Sequence, residues 1–293
     1  MAGVTDIWVC ATCHSINRQR DKRCYKCGTS QADGAEAIPG TGPGLRLESA
    51  LVNRVYHGYQ SAWPLALVAS VLVLAVAAMD VVILALNVAA APAVRAQINA
   101  IISGAPYDPT ALSVQSASLA TPELIRVVVL VAAVVAFGAW LSRVISNIPA
   151  LGGGQPSRTP LRAFVYTLIP LWNLIKVPGM VQDALYRVEP KAGGFFMVFA
   201  AWFGLVGSWI VSFLGSWFIG IALVKAIVAV PTPAGAVAAL EGALDQSFAL
   251  DIATSLMVVI GAVILVLLIV RIERRCAARD AEVQAMVLVP AEA

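Results

Sequence analysis

Charge is what this sequence lacks. Of its 293 residues only 13% are Asp, Glu, Lys or Arg, while 59% are hydrophobic, and the mean hydropathy is +0.82. A soluble domain carries roughly 25% charged residues. Half that supply cannot cover the surface of a soluble protein of this size, so a plain cytosolic enzyme is excluded, and the wealth of apolar residues excludes disorder. Histidine is scarce too: His14 and His57 are the only two. No nucleophile stands beside a base, and the G-x-S-x-G, Walker and H-E-x-x-H patterns are missing. No catalytic residue is therefore assigned, and the chain is read as a non-enzyme. Residues 1–9 have neither a basic n-region nor an apolar h-region, so no secretory leader is expected there.

The cysteines are few and unevenly placed. Four of the five fall between residues 10 and 27, which is no disulfide framework. Cys10-Ala11-Thr12-Cys13 and Cys24-Tyr25-Lys26-Cys27 are two C-x-x-C knuckles separated by ten residues. Four thiolates at that spacing suit one tetrahedral Zn²⁺. With every position taken by protein the site is closed, hence structural. The competing reading, a redox pair, expects a βαβ unit around the motif, and none is visible. Free thiolates need a reducing compartment, which points this end to the cytoplasm. So small a module cannot bury a core, so the metal is expected to drive its folding.

Trp8-x-Cys10-x2-Cys13-x3-Asn17-x6-Cys24-x2-Cys27 resembles the Ran-binding-protein type of zinc finger. The resemblance implies binding of single-stranded RNA or of ubiquitin. The ubiquitin binders have Thr-Phe after the second cysteine, where this chain has His14-Ser15. The RNA binders have an aromatic residue where Arg18 stands and an Arg pair where Arg20-Asp21 stands. Arg18, Arg20 and Arg23, with Lys22 and Lys26, still leave the finger basic. That is either a patch for an acidic partner, a protein before a nucleic acid or anionic lipid, or a solvated face on a tiny module.

Residues 1–30 are thus read as the finger and 31–46 as a flexible linker rich in Gly, Ala, Pro and Ser/Thr. Residues 47–62 are read as an amphipathic interfacial helix on a Leu47, Leu51, Val55 stripe. A membrane domain is expected over 63–275 and a cytoplasmic tail over 276–293. The fold class is an all-α membrane protein carrying a small zinc-ribbon-like finger.

Four segments can cross a bilayer, at about 65–91, 124–141, 195–224 and 252–270; the second requires Arg126 to snorkel. Residues 163–175 are short and contain Pro170 and Asn173, so 163–188 is read as a Pro-broken re-entrant or interfacial segment. Positive charge supports this count. With four spans and both termini inside, 17 of the 20 Lys and Arg are cytoplasmic, against eleven with a fifth crossing, and the positive-inside rule prefers the former. The expected location is the cell membrane.

The run Trp140-x-x-Arg143-x-x-x-Asn147, then Leu151-Gly152, then Ile169-Pro170-x-x-Asn173-Leu174-x-x-x-Pro178 resembles an uncharacterised, actinobacterial-type multi-pass membrane family. The resemblance implies an architecture and no substrate.

Polar groups in apolar surroundings complete the candidates. Asp80 sits within the first span, where a carboxyl is a functional-site hypothesis: a proton or cation site, or a buried acid bonded to Asn87 or a serine. Arg143 and Asn147 share a helix face, to bind lipid phosphate or to cap the broken backbone near Pro170 and Asn173. Cys276 is taken as incidental. Gly204, Ser208, Ser212, Ser216 and Gly220 recur every fourth residue, a small-residue face for helix packing, within the bundle or between protomers of a homo-oligomer, with a pore-lining stripe as its rival. The leading functional expectation is a membrane-tethered finger that recruits a cytoplasmic partner or senses metal or redox state. The alternative is a transporter- or channel-like bundle with a regulatory finger.

Overall fold

A computed structural model describes residues 7–10, 12, 16–18, 22–24, 27, 29–34, 59–106, 109–152, 156–189, 194–230 and 232–288. At the N-terminus, β1 (Ile7–Val9) and β2 (Ile16–Arg18) pair antiparallel with Trp8 opposite Asn17. Side chains directly opposite one another share a face of the ladder, and both of these are buried. A second turn closes where Arg23 bridges Ser30 and the Cys24 amide donates to the Thr29 carbonyl at 2.7 Å. One helical turn, α1 (Gln31–Gly34), follows. It takes the first four positions of the expected linker; 35–46 and the expected helix over 47–58 lie outside the described residues.

The described residues 59–62 are not helical, and the long helices begin after them: α2 (Trp63–Ser103), α3 (Pro109–Asn147), α4 (Pro160–Leu168), α5 (Pro170–Val188), α6 (Phe195–Ala229) and α7 (Pro233–Leu288). Four helices among the described residues are long and apolar enough to cross a membrane: Trp63–Ser103, Ser118–Asn147, Phe195–Ala229 and Ala234–Val283. Each contains one of the four expected spans. The protein is an all-α membrane protein with a two-stranded hairpin module. At 1.5 Å per residue the 41 residues of α2 run about 60 Å, twice the ~30 Å hydrocarbon core, so its helical hydrogen bonding continues well past the apolar core. The stretch expected as a C-terminal tail is helical up to Leu288 as the last turns of α7.

α4 and α5 are not among the four. Thr159 caps α4, its hydroxyl accepting from the Arg162 amide. Pro160 and Pro170 each stand at the start of a helix, where a missing N–H costs nothing. Ile169 between them is extended, at φ −96° and ψ 113°, as the residue before a proline prefers. The result is a helical hairpin with its break at Ile169-Pro170.

The chain divides into two compact units that cut across the helices. The first comprises Met1–Ser70, Val134–Val198 and Leu267–Ala293; the second comprises Val71–Ala133 and Phe199–Val266. The first unit buries Trp140, Leu141, Val144, Ile148, Val181 and Leu185, with Leu268, Ile269 and Ile272 of α7. In the second, α6 meets α7 through glycine. A Cβ on Gly204 would lie 2.5 Å from the Gly261 Cα and 2.7 Å from the Met257 carbonyl oxygen, a separation only glycine permits. Gly204 belongs to a π-helical turn, Phe203–Gly207.

The small-residue face is therefore partly where it was expected. Gly204 and Ser208 are buried and Ser212 is half-buried, but Ser216 and Gly220 are exposed, with open space around the Gly220 Cα. The reason is geometric. A four-residue step overshoots a 3.6-residue turn by about 40°, so an every-fourth stripe winds off the contact. The packed position further along is Gly215, whose added Cβ would strike Leu250.

Candidate functional site

The N-terminal hairpins bring thiols together. The Sγ atoms of Cys10, Cys24 and Cys27 all lie within 4.8 Å of one another, and Cys10 Sγ is 3.5 Å from Cys27 Sγ. Cys10 follows β1 directly, while Cys24 and Cys27 stand on the second turn, so two backbone reversals converge on one point. Cys10 and Cys24 are buried with Trp8, and Cys27 is exposed. Thr29 Oγ1 lies 3.0 Å from Cys27 Sγ and donates to Thr12 Oγ1 at 3.2 Å. Cys13, the fourth expected ligand, lies outside the described residues. This cluster can hold a metal ion. With Zn–S near 2.3 Å, a tetrahedron has edges of about 3.8 Å, and the Cys10–Cys27 separation is close to that.

The buried Trp8–Asn17 pair explains two other positions of the motif: both fill the interior of the module beside the thiols. Of the basic residues, Arg23 and Lys22 are exposed. Arg18 ends β2 with its side chain outside the described residues, as is all of Arg20.

A second polar group is built in the first unit, and here the spaced motif acquires its meaning. Trp140 Nε1 donates to Glu273 Oε1 at 2.8 Å, both residues buried. Asn147 is bound to the backbone of Gln60 twice: its Nδ2 donates to the Gln60 carbonyl at 2.6 Å, and its Oδ1 accepts from the Gln60 amide at 3.1 Å. Arg143 donates to the Gln60 side-chain oxygen. After α3, Leu151-Gly152 turns the chain, Gly152 at φ +71°, and Arg279 donates to the Leu151 carbonyl at 3.3 Å. Asn173 Nδ2 donates to the Thr167 carbonyl at 2.9 Å, across the helix break. Asn147, Leu151 and Asn173 thus satisfy backbone groups or offer their own where the chain bends or breaks, as apolar surroundings require. Trp140 satisfies the buried Glu273, and Arg143 reaches the exposed Gln60 side chain. Among the described residues the break is capped by Asn173; Arg143 and Asn147 instead clasp Gln60, just before α2.

Glu189 ends α5 and accepts from two arginines one turn apart on α7. Its Oε2 lies 3.1 Å from Arg271 Nη2, and its Oε1 lies 2.9 Å from Arg275 Nη2. Tyr59 precedes α2; burial, with the nearby Cys276, Glu273 and Asp280, pushes its phenol up to about 12, so it stays neutral. Cys276 is itself buried.

In the second unit, Asp80 Oδ1 accepts from Arg126 Nη1 at 2.9 Å, and Arg126 also meets Glu123 at 2.9 Å. The expected partners of Asp80, Asn87 or a serine, are replaced by an arginine. Arg126 thus bonds two carboxylates, Asp80 and Glu123. Further along, Arg95 pairs with Asp245 and Asn99 Nδ2 donates to Glu241 at 3.4 Å. Within the first unit, Arg143 and Asn147 share Gln60 while Asn173 serves the hairpin; within the second, Asp80 serves α2 and α3.

Gln60, Glu189 and Glu273 escaped the sequence reading. Each is a single polar residue whose partner lies more than 80 positions away, so no local spacing marks it. Arg126 was visible, but only as a length problem for its span.

The fold and the thiol cluster together define a four-span α-helical membrane protein with a small cysteine-bearing module. Residues 104–274 match the family described as Domain of unknown function (DUF4328). That is more than half of the chain, and the chain belongs to this family. The match holds the motif from Trp140 to Pro178 and leaves the thiol cluster outside. No curated protein and no solved structure matches the chain.

Proposed function

We propose that this protein is a membrane-anchored binding module that works by recruitment and not by catalysis. Its N-terminal finger holds one structural Zn²⁺ through Cys10, Cys13, Cys24 and Cys27. It faces the cytoplasm from the cell membrane, with both termini on that side. The observation that carries the reading is the convergence of Cys10, Cys24 and Cys27 Sγ within 4.8 Å on a chain whose other half is four long apolar helices. The half-buried Thr29, its hydroxyl beside Cys27, supports it, since outer hydrogen bonds steady metal-bound thiolates. The Ran-binding-type resemblance rests on Trp8, Asn17 and the cysteines. The first two are buried, so it argues for the finger's architecture more than for an RNA or ubiquitin surface. Arg18, Arg20 and Arg23 then supply the contact to an acidic cytoplasmic protein.

The transporter-like alternative gives Asp80 the central role. Its carboxylate is engaged by Arg126, which favours a structural pair over an open cation site.

The test is a cross-linked capture from native membranes with the finger intact, deleted, or carrying Arg18→Ala, Arg20→Ala and Arg23→Ala together. Proteins recovered with the intact chain and lost with both variants support recruitment. An unchanged set from the deletion contradicts it.

A further inference from the structure

The α4–α5 hairpin presents an apolar surface that the rest of its own unit does not cover. Leu161, Val165 and Leu168 lie along one side of α4, and Leu171, Trp172 and Ile175 along α5. All are exposed, Leu161 and Leu171 at 71%. The opposite faces are buried: Ala163 and Thr167 on α4, and Val177, Val181 and Leu185 on α5. The break itself, Leu168-Ile169-Pro170-Leu171, is an exposed apolar tip. Tyr166 and Trp172 meet edge to face across it, centroids 4.7 Å apart.

Two features say what covers this surface. The first is depth. α4 lies so close to α3 that a Cβ on Gly138 would strike Thr167 and come within 3.2 Å of Phe164. Gly138 is nine residues before the end of α3 at Asn147, about 13 Å along the axis. It also lies inside the stretch between Arg126 and Arg143 that contains no ionisable residue. The tip of the hairpin thus packs against the part of α3 that crosses the apolar core. The second is charge. Arg162 and Lys176 are each seven residues from Ile169, one on either arm, and both are exposed. Among the described residues neither has an acidic partner. Both cations therefore stand about 10 Å from the tip, less than the ~15 Å half-thickness of the hydrocarbon core.

We propose that this hairpin is a re-entrant wedge. It enters one leaflet tip first, on the side where α3 ends, and holds anionic phospholipid headgroups with Arg162 and Lys176. The exposed apolar side then continues the lipid-facing surface of α3, and the pair of cations sets how deep the wedge goes. The inference does not depend on the finger.

The experiment uses the full-length protein in vesicles of phosphatidylcholine, with or without phosphatidylglycerol, carrying a genetically encoded fluorescent residue at position 171 or 158. Nitroxide on the lipid acyl chain is expected to quench position 171, and aqueous iodide to quench position 158. Iodide quenching of 171 as strong as that of 158 overturns the proposal. So does shielding of 171 from both quenchers, which would mean a protein surface covers it. In parallel, lipid co-purified in nanodiscs is compared between the native chain and Arg162→Gln/Lys176→Gln. A cation at an anionic surface contributes on the order of fivefold to the attraction, so the enrichment of phosphatidylglycerol should fall several-fold. Unchanged enrichment in a variant that keeps its helical content overturns the headgroup role.

Discussion

Asn147 holds both backbone polar groups of Gln60, donating to its carbonyl at 2.6 Å and accepting from its amide at 3.1 Å. Gln60 precedes α2 and has no helical partner for either group, and Asn147 is buried. Asn147→Leu is therefore expected to cost about 1–3 kcal/mol for each group left unpaired, read as lowered thermal stability in detergent. Asn147→Asp keeps the acceptor and loses the donor, so it should fall between. Equal stability of all three would mean that water reaches Gln60 freely.

The Asp80–Arg126 pair calls for a double-mutant cycle. Removing one partner strands the other in a partly apolar setting, while removing both does not. Asp80→Ala and Arg126→Ala are each expected to destabilise by about 1–3 kcal/mol, between the exposed and the fully buried cases. The double variant should lose less than the sum. Strict additivity in the cycle would deny the interaction.

Gly204 and Gly261 meet backbone to backbone. Gly204→Ala or Gly261→Ala should cost about 1–3 kcal/mol by overpacking, seen as reduced stability of the purified protein. Gly220→Ala, in open space, should be neutral or slightly stabilising through helix propensity. The reverse ranking would return the contact to the every-fourth stripe.

The proposed orientation rests on where Lys and Arg fall. A cysteine at the exposed Ser157 should react with impermeant maleimide only from the cytoplasmic side, and one at position 113 only from outside. Cys276 is buried and cannot serve as the reporter. Reaction of Ser157→Cys from outside would defeat the charge argument.

What could be seen in the sequence was what local spacing records. Four apolar runs gave four long helices, and Pro170 within the short run 163–175 gave a broken hairpin. C-x-x-C spacing gave the thiol cluster. What stayed hidden depends on partners distant in the chain. Nothing near Glu273 announces Trp140, and nothing near Asp80 announces Arg126. The small-residue stripe misled for a different reason: a four-residue repeat looks like a helix face over two turns and departs from it over five. The Trp140-to-Pro178 motif was legible as a pattern but not as a purpose, because its residues serve bends and a break that only the folded chain displays.

A metal-built finger on a membrane anchor must carry its metal through purification, so zinc content is the decisive measurement. The full-length protein, purified in detergent under reducing conditions without chelator, should contain one zinc per chain by elemental analysis. Cobalt exchange should give the intense visible absorption of a tetrahedral four-thiolate site. Cys24→Ser should lose most of the metal while the four spans still insert, since the metal site and the spans occupy separate stretches of chain. No bound metal, or metal retained undiminished in Cys24→Ser, would mean that these cysteines hold no zinc; one zinc per two chains would mean an intermolecular site instead.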